Sequence, residues 1–269
     1  MNKIFHVDLD GTFLTTDKKI GEATREAVKY FLEKGNYFVI NTGRAPVSVM
    51  PLFNSLDVGR KNCFLICYNG TLIYDCEHDE AIYRCEVPKD VALEVFDLAK
   101  EAGIYIQTYE DDFVICEEEN ECSAKYAFNS KMDIKAVGNM SKYLTHDVPK
   151  LLAIELHEPE RIKTFVEKLQ GIYGEKYSVM PSSTTFYEFF RKDGGKGNAI
   201  LRLCEYLDIP VGNSIAAGDQ QNDISMLRSA GFSIGVKNAV DSVKEIVDEV
   251  TEKDNDHDAL AEYFYRFAD

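Results

Sequence analysis

Two carboxylates one residue apart, directly after an apolar run, are the first residues of this chain that could do chemistry: Asp8-Leu9-Asp10-Gly11-Thr12 follows Ile4-Phe5-His6-Val7. Side chains alternate along a strand, so Asp8 and Asp10 share a side for as long as the strand lasts. Open α/β sheets hold ligands beyond the carboxyl ends of their parallel strands, where two carboxylates can meet one ligand. Gly11 permits an unusual backbone turn, and Thr12 adds a hydroxyl and an amide at the same point. The plainer reading is a turn at Asp10-Gly11 with Asp8 ending the strand.

Three further segments occupy comparable places. Asn41-Thr42-Gly43-Arg44 follows the apolar Phe38-Val39-Ile40. A hydroxyl and an exposed amide there suit a phosphate oxygen, and Arg44 adds fixed positive charge, although Asn and Thr also cap helices and Pro46 favours a first helical turn. Gly194-Gly195-Lys196-Gly197-Asn198 opens an expected helix. Its glycines let the backbone approach an anion and its lysine is a compact cation, but an ordinary loop reads equally well. Ala217-Gly218-Asp219-Gln220-Gln221-Asn222-Asp223 ends a strand and begins a helix. If that turn is helical, Asp219 and Asp223 lie on one side with Asn222 beside them. Such hard oxygen ligands beside a phosphate favour Mg2+ over Zn2+, the alternative being a helix cap. Acidic groups for a cation, with hydroxyl, Lys and Arg for a phosphate, form an inventory for phosphoryl transfer. No Gly-x-x-x-x-Gly-Lys-[Ser/Thr] segment accompanies them, which argues against a nucleotide triphosphatase of that kind.

The elements that must position these residues follow from the spacing of apolar residues. Strands are expected at Ile4–Leu9, Tyr37–Ile40 and Phe64–Tyr68, with helices at Glu22–Lys34 and Pro46–Leu56, a βαβαβ rhythm that implies a parallel sheet. It resumes with helices at Lys196–Leu207, Ile224–Ala230 and Ala239–Val247 and strands at Ser214–Ala217 and Phe232–Val236. Between them the pattern turns antiparallel: Tyr105–Tyr109 and Phe113–Cys116 flank Glu110-Asp111-Asp112 like a hairpin, and Lys150–His157 and Phe186–Arg191 alternate. Helices are expected there at Val91–Ala102, Glu121–Met132 and Pro159–Leu169. The expected fold is therefore α/β, a Rossmann-like parallel-sheet core of residues 1–87 and 192–269 with a large inserted α+β domain at 88–191. The run Glu117–Glu119 reads as a solvated turn.

Composition limits the partners. The 269 residues carry 30 Lys and Arg against 46 Asp and Glu, a net charge of −16, and no basic stripe stands against that field, so a nucleic-acid partner is not expected. No apolar run approaches the ~18–20 residues that span a bilayer, and no signal-peptide core follows Met1-Asn2-Lys3, so no membrane partner and a cytoplasmic location are expected. Seven scattered cysteines, Cys63, Cys67, Cys76, Cys85, Cys116, Cys122 and Cys204, read as reduced, mostly buried thiols. Oligomeric state is not legible.

In order and spacing, the Asp8–Thr12, Asn41–Arg44, Gly195–Gly197 and Gly218–Asp223 segments resemble the four motifs of the haloacid dehalogenase-like phosphatases. Tyr68-Asn69-Gly70 and the long insertion after it resemble the Cof-type subgroup, whose α/β cap domain lies between the second and third motifs. The resemblance covers nearly the whole chain. It implies that Asp8 is a nucleophile forming an aspartyl-phosphate, and that Asp10 is general acid and then base, its carbonyl also meeting Mg2+. It implies that Thr42, Gly43, Arg44, Lys196 and Asn222 bind the phosphoryl group. Asp8, Asp10, Asp219 and Asp223 would form the metal site, with Asn222 and Asp223 completing it or orienting Lys196.

The reaction then expected is hydrolysis of a small phosphorylated metabolite, such as a sugar phosphate, with specificity in the cap domain. A phosphosugar mutase or phosphotransferase using the same aspartyl-phosphate is the runner-up, and an idle phospho-ligand sensor the third reading. Substrate selection is sought among Lys150–His157 and Phe186–Lys192, while the aromatics of Phe186-Tyr187-Glu188-Phe189-Phe190 read as core. Gln220-Gln221 and Val236-Lys237-Asn238-Ala239 depart from the family pattern without removing a catalytic group. Lys237 reads as solvated and His6 as a packed strand residue. Asn255-Asp256-His257-Asp258 resembles a C-terminal segment of the family to which no role is assigned.

Overall fold

The computed structural model describes residues 2–110 and 112–269; Asp111, in the expected Glu110-Asp111-Asp112 turn, lies outside the described residues. The elements run β1 Ile4–Val7, α1 Glu22–Glu33, β2 Tyr37–Asn41, α2 Pro46–Asn54, β3 Cys63–Cys67, β4 Leu72–Asp75 and β5 Glu80–Arg84. They continue as α3 Lys89–Ala102, β6 Tyr105–Glu110, β7 Phe113–Cys116, α4 Glu121–Ser130, β8 Asp133–Ala136, α5 Met140–Tyr143, β9 Leu151–Ile154, α6 Pro159–Tyr173, β10 Tyr177–Pro181 and β11 Phe186–Arg191. The chain ends with α7 Lys196–Tyr206, β12 Ser214–Gly218, α8 Ile224–Ser229, β13 Phe232–Gly235, α9 Asp241–Lys244, β14 Glu249–Val250 and α10 Ala261–Arg266.

The chain divides into two compact units, one formed by the chain up to Gly43 with Val49–Tyr83 and Gly195–Asp269, the other by Arg44–Ser48 with Arg84–Gly194. Paired backbone bonds between Val87 and Val148, at 2.7 and 3.0 Å, tie the start of the inserted stretch into the second unit. Ser48 Oγ, donating to Ser130 O at 2.7 Å, does the same for Arg44–Ser48.

The first unit holds an eight-stranded sheet in the order β14-β13-β12-β1-β2-β3-β4-β5. From β14 to β3 every pairing is parallel, and β4 joins β3 antiparallel. This antiparallel edge was absent from the sequence reading, because Leu72–Asp75 is too short to show a period of its own. The strands β1 and β3 are buried at every residue, as expected of strands covered on both faces. Helix α1 buries Thr24, Ala27, Val28 and Phe31, spaced to make one stripe along a helix. Chain order runs outward from β1 to β2 and β3 on one side and from β12 to β13 and β14 on the other. The boundary between β1 and β12 is thus a topological switch point, where such sheets leave a crevice at their carboxyl ends.

Three elements are shorter than the apolar pattern suggests. Strand β1 stops at Val7, because Phe13 N–H and Leu14 N–H turn back to the carbonyls of Asp8 and Leu9. Strand β9 stops at Ile154: Glu155 Oε1 accepts the N–H groups of His157 and Glu158 and redirects the chain into α6. The helix expected at Ala239–Val247 is only α9, after which the chain enters β14.

The second unit is built on a six-stranded sheet, β10-β11-β9-β6-β7-β8, antiparallel apart from the β7–β8 pair. Ile106, Leu151, Ala153 and Phe189 face a core shared with Val95, Phe96, Phe165 and Leu169 of α3 and α6. Register puts Gln107, Leu152 and Glu188 in one row, on the alternate face.

Candidate active site

The side chains nominated from sequence converge, in part, where the three central strands of the first unit end. Asp8 is buried just beyond β1, its N–H still bonded to Ala217 O of β12 at 3.0 Å. The chain then turns through Gly11 at φ 84°, and a Cβ there would lie 2.6 Å from Asp219 Oδ2. Glycine is needed at this position for conformation and for space alike. Thr12 donates its hydroxyl to Asp219 Oδ1 at 2.7 Å, joining the loops that follow β1 and β12.

Asp219 and Asp223 do come together, but not as one face of a helix. A 3-10 turn at Gln221–Asp223 intervenes, and Asp223 Oδ2 accepts the N–H groups of Asp219 and Gln220, each at 3.0 Å. Asp223 Oδ1 accepts from Lys196 Nζ at 2.7 Å, and the same ammonium donates to Asp8 Oδ1 at 2.6 Å. One side chain therefore shapes the backbone on one side and aims the lysine on the other. Asn222 is half-buried in that turn.

Lys196 is 1% exposed, and its own main chain is clamped. Asn41 Nδ2 donates to Lys196 O at 3.2 Å and Gly195 N–H to Asn69 O at 3.2 Å. Asn69 N–H in turn reaches Thr42 O at 3.0 Å. Asn41, read from sequence as a member of a phosphate-facing segment, is fully buried and its amide is committed to Lys196. Tyr68, Asn69 and Gly70 have φ of 51°, 58° and 97°, three successive left-handed residues. A Cβ on Gly70 would come within 2.4 Å of Gly195 O, so this strained turn is what lets β3's loop approach α7. Thr42 is buried and Gly43 packs against Asn69, where a Cβ would stand 2.8 Å from Oδ1.

Asp10 is not among the three clustered carboxylates; its Oδ1 accepts from Lys18 Nζ at 2.7 Å, a partner the sequence reading did not anticipate. The alternation argument for Asp10 fails because β1 ends before Asp8. Arg44 belongs with the second unit, where its charge acts on Tyr126. Lys237 is exposed, and His6 is fully buried with its pKa lowered to about 3 by burial, hence neutral.

Burial and charge set the chemistry. Oxygens of Asp8, Asp219 and Asp223 all lie within 4.8 Å of one another, with a single ammonium among them. Burial, then the Asp223 charge, hold the Asp8 carboxyl well above the usual range against the pull of Lys196. Asp219 is pushed up to about 6, first by burial, with the Thr12 hydrogen bond opposing. For Lys196, burial works against the charged form but is outweighed by Asp223 and Asp8, and the ammonium is held above its ordinary value. Among the described residues three buried carboxylates gather around the Lys196 ammonium, and such an all-oxygen donor set would fit a hard divalent ion such as Mg2+. The oxygens that could hold such an ion are those of Asp8, Asp219 and Asp223.

The lysine-paired Asp8 and its acidic neighbours thus lie on the loops after β1 and β12, at the switch point of a parallel sheet, where enzymes of the α/β class hold their ligands. The chain belongs to the haloacid dehalogenase-like hydrolase family, whose model matches residues 5–264. It is 28% identical to the 5-amino-6-(5-phospho-D-ribitylamino)uracil phosphatase of Bacillus subtilis, over 97% of this chain and 96% of that one. It superposes on the crystal structure of a haloacid dehalogenase-like hydrolase from Bacteroides thetaiotaomicron with a TM-score of 0.90, at 28% identity and 99% coverage of both. A subclass IIB sugar phosphatase of this superfamily shares the fold at 21% identity, with a TM-score of 0.81 and 99% coverage of both. Together these findings support a phosphoric monoester hydrolase. Among the described residues no helix is long and apolar enough to cross a membrane.

Proposed function

We propose that this protein is a Mg2+-dependent phosphatase that hydrolyses a small phosphorylated metabolite, with a sugar phosphate as the substrate class, through an aspartyl-phosphate on Asp8. The observation that carries the reading is the Asp8 carboxylate, buried at a strand end and bonded to the Lys196 ammonium beside Asp219 and Asp223.

In this reading an Asp8 carboxylate oxygen attacks phosphorus as the ester P–O bond breaks, and Asp10 gives its proton to the leaving oxygen. Water then attacks the aspartyl-phosphate, losing a proton to Asp10, and Asp8 is regenerated as inorganic phosphate departs. Lys196 neutralises charge on the phosphoryl oxygens and on Asp8, and Thr42, Gly43 and Asn222 offer donors to those oxygens. Asp8, Asp219 and the Asp10 carbonyl, with Asp223 in support, would hold Mg2+, which would supply the positive charge that offsets repulsion between the Asp8 carboxylate and a dianionic ester. The net charge of −16 makes that compensation necessary and supports the absence of nucleic-acid partners. The second unit, with Arg44 included, selects the substrate. The buried, unbridged state of all seven cysteines supports a cytoplasmic setting.

The test is phosphate release from a panel of sugar phosphates, nucleotides and vitamin phosphates, with Mg2+ and with chelator, by wild type and Asp8→Asn. Mg2+-dependent release that Asp8→Asn abolishes while keeping its fold is the expected result. Equal rates from the two proteins would show that Asp8 is not the nucleophile, and wild type inert on every ester would refute the phosphatase reading.

A further inference from the structure

The segment Asn255–Asp258 lies on no strand, lines none of the acidic cluster, and yet is bonded along the loop that carries Asp10. Asn238 Nδ2 donates to Gly11 O at 2.7 Å while its Oδ1 accepts from Asn255 N–H at 3.0 Å. Asn255 Nδ2 donates to Leu14 O at 2.9 Å. The Asp256 carboxylate accepts Thr16 N–H at 2.6 Å and the Thr16 hydroxyl at 2.8 Å. Asp258 Oδ1 accepts Thr24 N–H at 2.9 Å and the Thr24 hydroxyl at 2.7 Å, and a Cβ on Gly21 would fall 1.9 Å from that oxygen. Gly11, Leu14, Thr16 and Thr24 are thus each held from the far end of the chain.

Asp10 depends on this loop twice over. Its backbone bridges to Leu14, one of the held residues. Its carboxylate pairs with Lys18, which sits at φ 61° in a turn closed by Lys18 N–H to Thr15 O and Thr15 N–H to Lys19 O, each at 2.8 Å. Both members of the Asp10–Lys18 pair are more than a third exposed, so the ion pair alone fixes little. The lie of the loop therefore bears directly on where Asp10 stands.

We infer that Asn255–Asp258, with Asn238, is a positioning clasp for Asp10: it holds the loop so that the acid/base carboxyl meets the leaving oxygen. This rests on the phosphatase reading above, in which Asp10 transfers the proton. A positioned general acid contributes about 10²–10⁴-fold, and most where the leaving oxygen is basic. Loosening the clasp therefore slows esters of alkyl alcohols more than those of acidic phenols. A purely structural defect lowers both alike.

The experiment compares kcat/KM, which reports events up to aspartyl transfer, for a sugar phosphate and p-nitrophenyl phosphate. It uses wild type, Asp256→Ala, Asn255→Ala and the milder Thr16→Val. Amide hydrogen exchange is followed in peptides covering residues 11–24. The clasp variants are expected to lose about tenfold on the sugar phosphate and no more than about threefold on p-nitrophenyl phosphate, with faster exchange in 11–24. Equal losses on the two esters, or unchanged exchange in 11–24, would overturn the clasp and leave the phosphatase reading intact. A wild type inert on both esters would refute that reading instead, and exchange would still decide whether the loop is held.

Discussion

Crowding of three carboxylates around one lysine gives the metal-free protein an unusual dependence on pH. The Asp219 carboxyl titrates near 3.8 when unfolded and about 6 when folded, because burial disfavours its charge. A carboxyl raised by folding binds its proton more tightly in the native state, so its contribution to stability is fullest below pH 4 and is lost as pH rises through 6. The interval of roughly 2 pH units, at about 1.4 kcal/mol per unit, amounts to about 3 kcal/mol from Asp219 alone. Asp8, raised in the same direction, steepens the loss. Magnesium is expected to oppose it, since an ion that binds only the folded ionised site adds about 2.7 kcal/mol at a hundred times its dissociation constant. Urea unfolding in chelator at pH 4.5, 5.5 and 7, repeated with Mg2+ and with Asp219→Asn, measures each part. The midpoint is expected to fall with pH in chelator, to recover with Mg2+, and to lose much of its slope in Asp219→Asn. A midpoint that rises between pH 4.5 and 7 in chelator, or ignores Mg2+ at pH 7, would refute the reasoning.

Gly70→Ala forces a Cβ against Gly195 O and into a left-handed conformation, and displacing Lys196 by even 1 Å is expected to cost about 10²-fold in phosphate release; retention of half the rate would show the turn is not needed. Among the described residues neither ring nitrogen of His6 has a hydrogen-bond partner, so His6→Leu is expected to raise the unfolding free energy in urea by about 1 kcal/mol with phosphate release preserved, and a lowered unfolding free energy would contradict that account. In the second unit, Lys150 Nζ and Glu188 Oε2 form a buried pair at 2.6 Å, so Lys150→Met should cost about 3–5 kcal/mol in urea unfolding, and Lys150→Met with Glu188→Leu should recover most of it; a double variant no better than the single one contradicts that account.

What the sequence disclosed and what it withheld divide along physical lines. The parallel strands of the first unit were legible because both-face burial makes them nearly continuous apolar runs, as in Cys63–Cys67. Asp8 and Asp219 were legible because charge directly after such runs needs a reason, and Lys196 because it stands among glycines at the start of a helix. Asp10's placement was not, since it turns on two backbone bonds that end β1 before Asp8. Nor was the role of Asn41, whose amide reads as a helix cap until α7 is seen beside it. Lys18 gave no signal at all, being an ordinary surface lysine until the turn at Thr15–Lys19 brings it to Asp10. The meeting of Asp219 with Asp223 was anticipated, but through a helical spacing where a backbone-binding carboxylate is what joins them.

The place of β1 between β2 and β12 bears on how the molecule is made. As the chain leaves the ribosome, β1 can pair with β2 once Asn41 has emerged, but its other edge waits for Ser214–Gly218. At about 5–20 residues per second, that wait lasts roughly ten to thirty seconds. Through that time an apolar edge and the Asp8 carboxyl stand open, while the second unit is completed. A chain stalled before Lys196 therefore holds Asp8 without its lysine, and the buried acidic cluster comes into being only once the segment through Asp223 has followed.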